Sequence, residues 1–461
     1  MNLEDTIVAI ATPPGQSGIG IVRMSGKRSF PIAKKIFRPP EGKKLNWSFS
    51  FRIYYGWIVN PETKREVDEV LLTLMRSPKT YTREDIVEIN CHGGPIPLRK
   101  TLELILKLGA RLAEPGEFTK RAFLNGRIDL VQAESVLDII QAKTEKSLDV
   151  ALNSLEGKLS QRIFFLKNKM VDLLSCVEAE IDFSSEDLKF LSRKDKKKHL
   201  EEILKDVDSL LETAEMGGVY KEGVKAVIVG KSNVGKSSLL NTLLQRERAI
   251  VSYIPGTTRD TLEEMVNIKG FPVWVVDTAG LKEAKGIIEK KGIARTQGKV
   301  NEADIILLLI DGSCPLSKDD KLIFQEVRGK QVLIAINKID LPQKVKREEI
   351  SPFLPGRDII EISATKEINI EVLKEKLANF ILKEATPSTS DLLIMNLRQK
   401  GALKEARKSV KQALNVVEQR LFEELIAFDL REGINNLGEI TGEVAADEVL
   451  DRIFSRFCIG K

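Results

Sequence analysis

Residues 230–237 read Gly-Lys-Ser-Asn-Val-Gly-Lys-Ser, and this stretch decides the fold. It follows an apolar run, Val224–Val229, which predicts a buried parallel strand, and precedes Ser238-Leu-Leu-Asn-Thr-Leu-Leu, which has the period of an amphipathic helix. Strand, glycine loop and helix in that order are the context of a P-loop. Gly230 and Gly235 let the backbone curl so that successive N–H groups face phosphate oxygens, and the helix starting near Lys236 adds its positive end. Lys236 then neutralises the β- and γ-phosphates, and the Ser237 hydroxyl ligates Mg2+. Asn233, Val234, Gly235, Lys236, Ser237 and Ser238 are candidate nucleotide-binding residues on this reading.

Downstream segments choose the base. Asn337-Lys338-Ile339-Asp340 ends another apolar strand, Val332–Ile336. The Asp340 carboxylate can accept hydrogen bonds from guanine N1–H and N2–H2, a pair adenine does not offer, which supports discrimination on the order of 10^4-fold. Ser363-Ala364-Thr365, after the strand Asp358–Ile362, closes over the base through backbone N–H groups. Asp277-Thr278-Ala279-Gly280 ends the strand Val273–Val276, with Asp277 near the Mg2+ hydration shell and the Gly280 N–H near the γ-phosphate. Pro255-Gly256-Thr257-Thr258 supplies Thr258 as a second Mg2+-side hydroxyl, and Ser252, Tyr253 and Ile254 precede it in the same nucleotide-binding loop. Five elements in this order predict a guanine-nucleotide hydrolase of Ras-like α/β fold.

Two departures bear on mechanism. Leu281 stands where many small regulatory GTPases carry a water-orienting glutamine, so the polar group must come from elsewhere or in trans. Asn233 either turns the loop or offers a side-chain oxygen to a monovalent cation, placing charge where an arginine finger would.

At 461 residues the chain predicts about two to four domains. Residues 1–120 mix short β-like runs such as Thr6–Ala11 and Ile19–Arg23 with turns, an α+β domain. Residues 121–216 and 384–461 show helical spacing, as in Leu200, Ile203, Leu204, Val207 and Leu210, and enclose a nucleotide-binding domain at 217–383 that begins at Gly217-Gly218. The expected architecture is multidomain: an N-terminal α+β domain, a discontinuous α-helical domain and an inserted P-loop α/β domain. No run of about 18 apolar residues and no signal-peptide pattern is present, so a cytoplasmic protein without membrane contact is expected. Cys91, Cys176, Cys314 and Cys458 lack paired spacing, and His92 and His199 are the only histidines, which argues against zinc and disulfides. With 72 basic against 67 acidic residues, a net charge of +5 permits RNA contact without demanding it. The run Arg193–His199 reads as a solvated helix face or loop rather than a phosphate contact. Beyond Glu88 the N-terminal segment offers no obvious acid–base cluster.

Asp5-Thr-Ile-Val-Ala, Tyr81-Thr-Arg-Glu-Asp-Ile-Val-Glu-Ile-Asn-Cys-His-Gly-Gly94, Pro115-Gly-Glu-Phe-Thr, Ala122-Phe-Leu-Asn-Gly-Arg-Ile-Asp-Leu130 and the terminal Phe457-Cys-Ile-Gly-Lys461 together resemble the MnmE (TrmE) family of tRNA-modification GTPases. The resemblance implies a homodimer formed through an N-terminal domain that binds 5-formyl-tetrahydrofolate or a related folate. It implies a flavin- and NADH-dependent partner, MnmG (GidA), with which an aminomethyl or carboxymethylaminomethyl group is added at C5 of the wobble uridine of certain tRNAs. FAD and NADH enter only through that partner. The G domains are implied to meet in a potassium-dependent contact that drives hydrolysis. Residue by residue, the folate contacts fall on Arg23, Glu88, Arg127 and Lys461, the potassium site on Asn233, Ser252, Ile254 and Thr257, and the water-activating glutamate on Glu289, which would supply what Leu281 lacks. Arg127 and Ser252 replace a lysine and a threonine found in some relatives. Cys458 resembles a terminal cysteine proposed to act in the modification chemistry; a buried small apolar residue is the alternative. A ribosome-assembly GTPase and a folate-dependent one-carbon transferase with a regulatory G domain are the competing readings.

Overall fold

The computed structural model describes residues 4–183, 190–247, 263–277, 301–383 and 396–461. Backbone contacts divide the chain into two units, one of Met1–Leu137, Ser160–Lys167 and Ile434–Lys461, the other of Asp138–Leu159 and Asn168–Gly433.

In the first unit, β1 (Ile7–Ile10), β2 (Ser17–Ser25), β3 (Phe37–Arg38), β4 (Arg52–Val59), β5 (Glu66–Met75), β6 (Ile86–Gly93) and β7 (Arg111–Leu112) form one sheet in the order β3-β4-β5-β6-β2-β1-β7. Neighbours are antiparallel except β1 and β7. Period-two alternation turns Val22, Met24, Val87, Ile89 and Cys91 into the core beneath the helices Ser29–Ile36 and Pro95–Lys107, and sends Arg23, Glu88, Asn90 and His92 to the other face. The register pairs Arg23 with Glu88 across β2 and β6.

This unit also contains an acid–base cluster that the sequence reading did not find. The Arg121 side chain is fully buried and bonds Glu117 at 3.0 Å, Glu84 at 3.1 Å and Asp5, while Arg111 reaches Asp5 and Glu117, each at 2.7 Å. These five residues are scattered from position 5 to 121 and meet only through the fold. Burial pushes the Glu117 and Asp5 carboxyls up, but the guanidiniums of Arg111 and Arg121 outweigh it and hold both below their ordinary values.

The second unit combines helices with a six-stranded sheet of β8 (Val224–Val229), β9 (Glu263–Ile268), β10 (Phe271–Asp277), β11 (Ile305–Asp311), β12 (Val332–Asn337) and β13 (Ile359–Glu361), in the order β13-β12-β11-β8-β10-β9. All neighbours are parallel except β9 and β10, joined by Lys269-Gly270 with both φ positive. Both faces are covered, which is why these strands read as continuous apolar runs. Ala226, Ile228, Leu307, Leu309, Leu333 and Ala335 pack on one side with Leu239, Leu243 and Leu373, and Val227, Val229, Ile306, Leu308 and Ile334 on the other with Phe324 and Ile350.

Two expectations change here. The helix Arg193–Glu222 runs through Gly217-Gly218, and the break falls at Gly223, whose φ is +82° and where a Cβ would lie 2.4 Å from the Pro272 carbonyl. The interior glycines cost about 1 kcal/mol each, which the stacking of Tyr220 on Phe271 at 4.6 Å and the Trp274 indole bond to the Glu222 carbonyl at 3.0 Å help to offset. The basic run is not uniformly solvated either. Lys196 continues the stripe of Leu200, Ile203, Val207 and Leu210, is buried, and pairs with Glu180 and with Glu423 at 2.9 Å.

Arg121→Ala should lower the stability of the first unit by about 3–5 kcal/mol, because it strips a buried cation from the buried Glu117 and the partly buried Asp5 and Glu84; urea denaturation measures this. Since Asp5 and Glu117 titrate below their ordinary values of 3.8 and 4.5, the cluster's contribution is complete above those values and is lost as pH falls through the depressed folded ones. The deficit of the variant should therefore shrink in acid.

Candidate functional site

The loop between β8 and the helix Lys236–Glu247 lies at the carboxyl end of the parallel strands, where open α/β sheets take their ligands. Its shape depends on Gly235, with φ +101°, where a Cβ would stand 2.3 Å from the Asn337 side-chain nitrogen. Asn233 is left-handed at φ +63°, a conformation asparagine tolerates better than most residues. The Lys236 ammonium is buried and donates to the Gly230 and Lys231 carbonyls, each at 2.7 Å, so it sits inside the curl of its own loop.

Asn337, at the end of β12, joins two loops. Its side-chain N–H donates to the Val234 carbonyl at 2.8 Å, and its side-chain oxygen accepts from the Ala364 N–H at 2.9 Å. Lys338, left-handed at φ +66°, donates to the Asn233 carbonyl at 2.9 Å and to Asp311 at 2.7 Å. Burial raises the Asp311 carboxyl, but bonds from Lys338 and Ser313 prevail and hold it below its ordinary value. The Ser363 hydroxyl donates to Asp340 at 2.6 Å and lies 3.4 Å from the Thr365 hydroxyl, fixing one carboxylate oxygen of Asp340. Thr242 donates to the carbonyls of Ser238 and Ala364, both at 2.9 Å.

Hydrogen bonds thus join Asn233 to Lys338, Val234 and Ala364 to Asn337, Ser238 to Ala364 through Thr242, and Ser363 to Asp340 and Thr365, while Gly235 packs against Asn337, Lys236 bonds the carbonyls of its own loop, and Ser237 follows it in the first turn of the helix. Asp277 ends β10 beside Ile228 of β8. Ser252–Thr258, Thr278–Gly280, Leu281 and Glu289 lie outside the described residues. Asp311 and Thr242 were missed; the position of Asp311 at the end of an apolar strand, like that of Asp277, was the available signal.

In the first unit the Arg23 guanidinium bonds Glu88 at 2.7 Å, donates to the Gly460 carbonyl at 3.3 Å and lies over the Phe118 ring. The chain terminus reaches this place because Ile459 bridges Pro115, and because Gly460, at φ +98°, packs where a Cβ would meet the Ile10 carbonyl at 2.7 Å. Arg127 stacks on Tyr81 and donates to its carbonyl at 3.3 Å, and the Tyr81 hydroxyl meets Thr119 at 2.9 Å, next to Phe118. Lys461 follows Gly460 and is half-buried. Cys458 is exposed, which removes the alternative of a buried apolar residue, whereas burial pushes the Cys91 thiol up to about 12.

Two family models cover the chain: GTP-binding protein TrmE N-terminus matches residues 6–127, and MnmE helical domain matches residues 130–458. The tRNA modification GTPase MnmE of Alkaliphilus oremlandii is 46% identical over 461 residues, 100% of each chain. The chain belongs to the MnmE (TrmE) family of tRNA modification GTPases. Its counterparts in Desulforamulus reducens and Clostridioides difficile are 46% identical over 460 and 461 residues, again 100% of each chain. Membership makes the chain a GTPase that binds GTP and Mg2+ and acts in tRNA modification. Among the described residues no helix is long and apolar enough to cross a membrane.

Asn337→Ala should destabilise the nucleotide-binding part of the second unit by roughly 2–4 kcal/mol, since each orphaned buried polar group costs about 1–3 kcal/mol. Titration with a fluorescent GTP analogue should show roughly tenfold or greater loss of affinity, equivalent to about 1.4 kcal/mol of that disruption.

Proposed function

We propose that this MnmE-family GTPase is a potassium-dependent switch that works with the flavoprotein MnmG to add an aminomethyl or carboxymethylaminomethyl group at C5 of the wobble uridine of certain tRNAs, in the cytoplasm. The observation that carries the nucleotide half of the reading is the Asn337 bridge from the Val234 carbonyl to the Ala364 N–H, which holds the phosphate loop and the base loop in one frame.

GTP would lie with its phosphates in the loop Gly230–Ser237. Lys236 would exchange its two loop carbonyls for β- and γ-phosphate oxygens, and Asp340, steadied by Ser363, would accept from guanine. Asp277 and the segment Thr278-Ala279-Gly280 would complete the γ-phosphate side. Mg2+ held by Ser237 and Thr258 would neutralise charge on the β- and γ-oxygens. Potassium held by Asn233, Ser252, Ile254 and Thr257 would add positive charge beside the phosphates. Glu289 would orient the attacking water when the opposing G domain docks.

The donor set of the first unit suits a folate, whose carboxylates ask for cations and whose pterin N–H groups ask for an acceptor. Arg23, Arg127 and Lys461 supply the former and Glu88 the latter. Cys458, exposed on the turn that carries Gly460, would serve the modification chemistry. A homodimer through this unit is supported by the exposed side chains of Ile53, Tyr55 and Leu71 on the open face of β4 and β5, with Phe49 and Phe51 beside them, an apolar patch that a second copy would cover.

GTP hydrolysis per molecule should rise with protein concentration in potassium and stay low in sodium at equal ionic strength; equal rates in both salts would remove the potassium site. Glu289→Ala should nearly abolish turnover while leaving GTP affinity almost intact, and unchanged turnover would take Glu289 out of the catalytic role.

A further inference from the structure

The helix Leu397–Gln419 buries Ala402, Leu403, Ala406, Val410, Ala413 and Val417 on one side, packed along the helix Arg193–Glu222. Its other side borders a groove of about 620 Å³ whose lining includes Lys404, Arg407, Lys408 and Lys411 and no carboxylate. Across the helix as a whole, six cations stand against two acids, Glu405 and Glu418.

A merely solvated helix face would look different. On the neighbouring helix, Lys197 pairs with Glu201 and Lys198 with Glu202 at i,i+4 spacing, the arrangement that stabilises an exposed helix. Here the i,i+4 neighbours are Lys404 with Lys408 and Arg407 with Lys411, like charges that destabilise the helix carrying them. Arg407 has Asp208 and Lys408 has Glu405 at 3.6 Å, whereas no ion pair is found for Lys404 or Lys411 among the described residues. Both are exposed and lie about 10 Å apart, two turns along one stripe. A repulsive arrangement of this kind is relieved by a polyanion.

We propose that this stripe is a docking surface for the phosphate backbone of RNA, with Lys404 and Lys411 as its principal contacts. The choice of RNA rests on membership in a tRNA modification family and on charge complementarity. Leu211, Gln412 and Asn415 complete the groove, and the two carboxamides can bond ribose and phosphate oxygens without requiring any base. The contact therefore positions the RNA and does not read its sequence.

The test uses the full-length protein and an unmodified tRNA transcript, with affinity measured by fluorescence anisotropy over a range of salt. Lys404→Glu combined with Lys411→Glu should weaken binding roughly tenfold or more and lower the salt slope by about 2, one per lost phosphate contact. Far-UV circular dichroism and tRNA-independent GTP hydrolysis should stay at wild-type values, so a failure of the nucleotide reading would be seen separately. Lys194→Glu combined with Lys198→Glu makes the same change in net charge elsewhere and should have little effect; an equal loss in this control would overturn the proposal. Unchanged tRNA affinity and slope in the Lys404, Lys411 variant would also overturn it. Unchanged tRNA affinity with lost binding of polyglutamate would assign the face to an acidic protein instead.

Discussion

The second unit depends on one carboxamide. Asn337 stands at the end of β12, a strand buried on both faces, and cannot shift without moving the sheet. From there it holds the phosphate loop by the Val234 carbonyl and the base loop by the Ala364 N–H. Its bulk leaves room only for glycine at position 235, and its neighbour Lys338 ties the Asn233 carbonyl to Asp311. Sheet packing thereby fixes the distance between the place where phosphates bind and the place where a base would be read. Such preorganisation moves the entropy of assembling the site from the moment of binding to the moment of folding.

In the first unit different physics brings Arg23 and Glu88 together. Sheet alternation puts Arg23 and Glu88 on one face and the register puts them opposite each other, so their ion pair follows from the fold rather than from a loop. In the same unit Arg121, Arg111, Glu117, Glu84 and Asp5 tie the chain before β1 to β7 and the helix Glu117–Leu124 through charges of which Arg121 and Glu117 have left water. Such a cluster contributes little net stability over an apolar core, but it tolerates no missing member. The chain terminus then docks on this frame at Pro115 and Ile10, which explains why a motif at 457–461 belongs with residues near position 23.

Legibility followed the range of the interactions. The nucleotide-binding strands could be read because parallel strands covered on both faces are written as apolar runs, and the P-loop because strand, glycines and helix are contiguous. The family could be read from the motifs at 81–94, 115–119, 122–130 and 457–461. What stayed hidden was long-range. Lys196 looked like one more surface lysine, and only the positions of Glu180 and Glu423 make it a buried ion. Glu117 and Arg121 sat in view on one helix without revealing Asp5 and Glu84 as their partners. The helix through Gly217-Gly218 shows tertiary packing overriding local propensity.

In the proposed binding mode Asp340 reads the base, with one carboxylate oxygen held by Ser363 next to the Ala364 that Asn337 bonds. The most direct measurement is the affinity of the wild-type protein and of Asp340→Asn for GTP and for XTP, which carries an oxygen at C2 where guanine carries its amino group. The variant should lose GTP affinity on the order of 10^4-fold and bind XTP better than the wild type does. GTP affinity unchanged in the variant would contradict this binding mode.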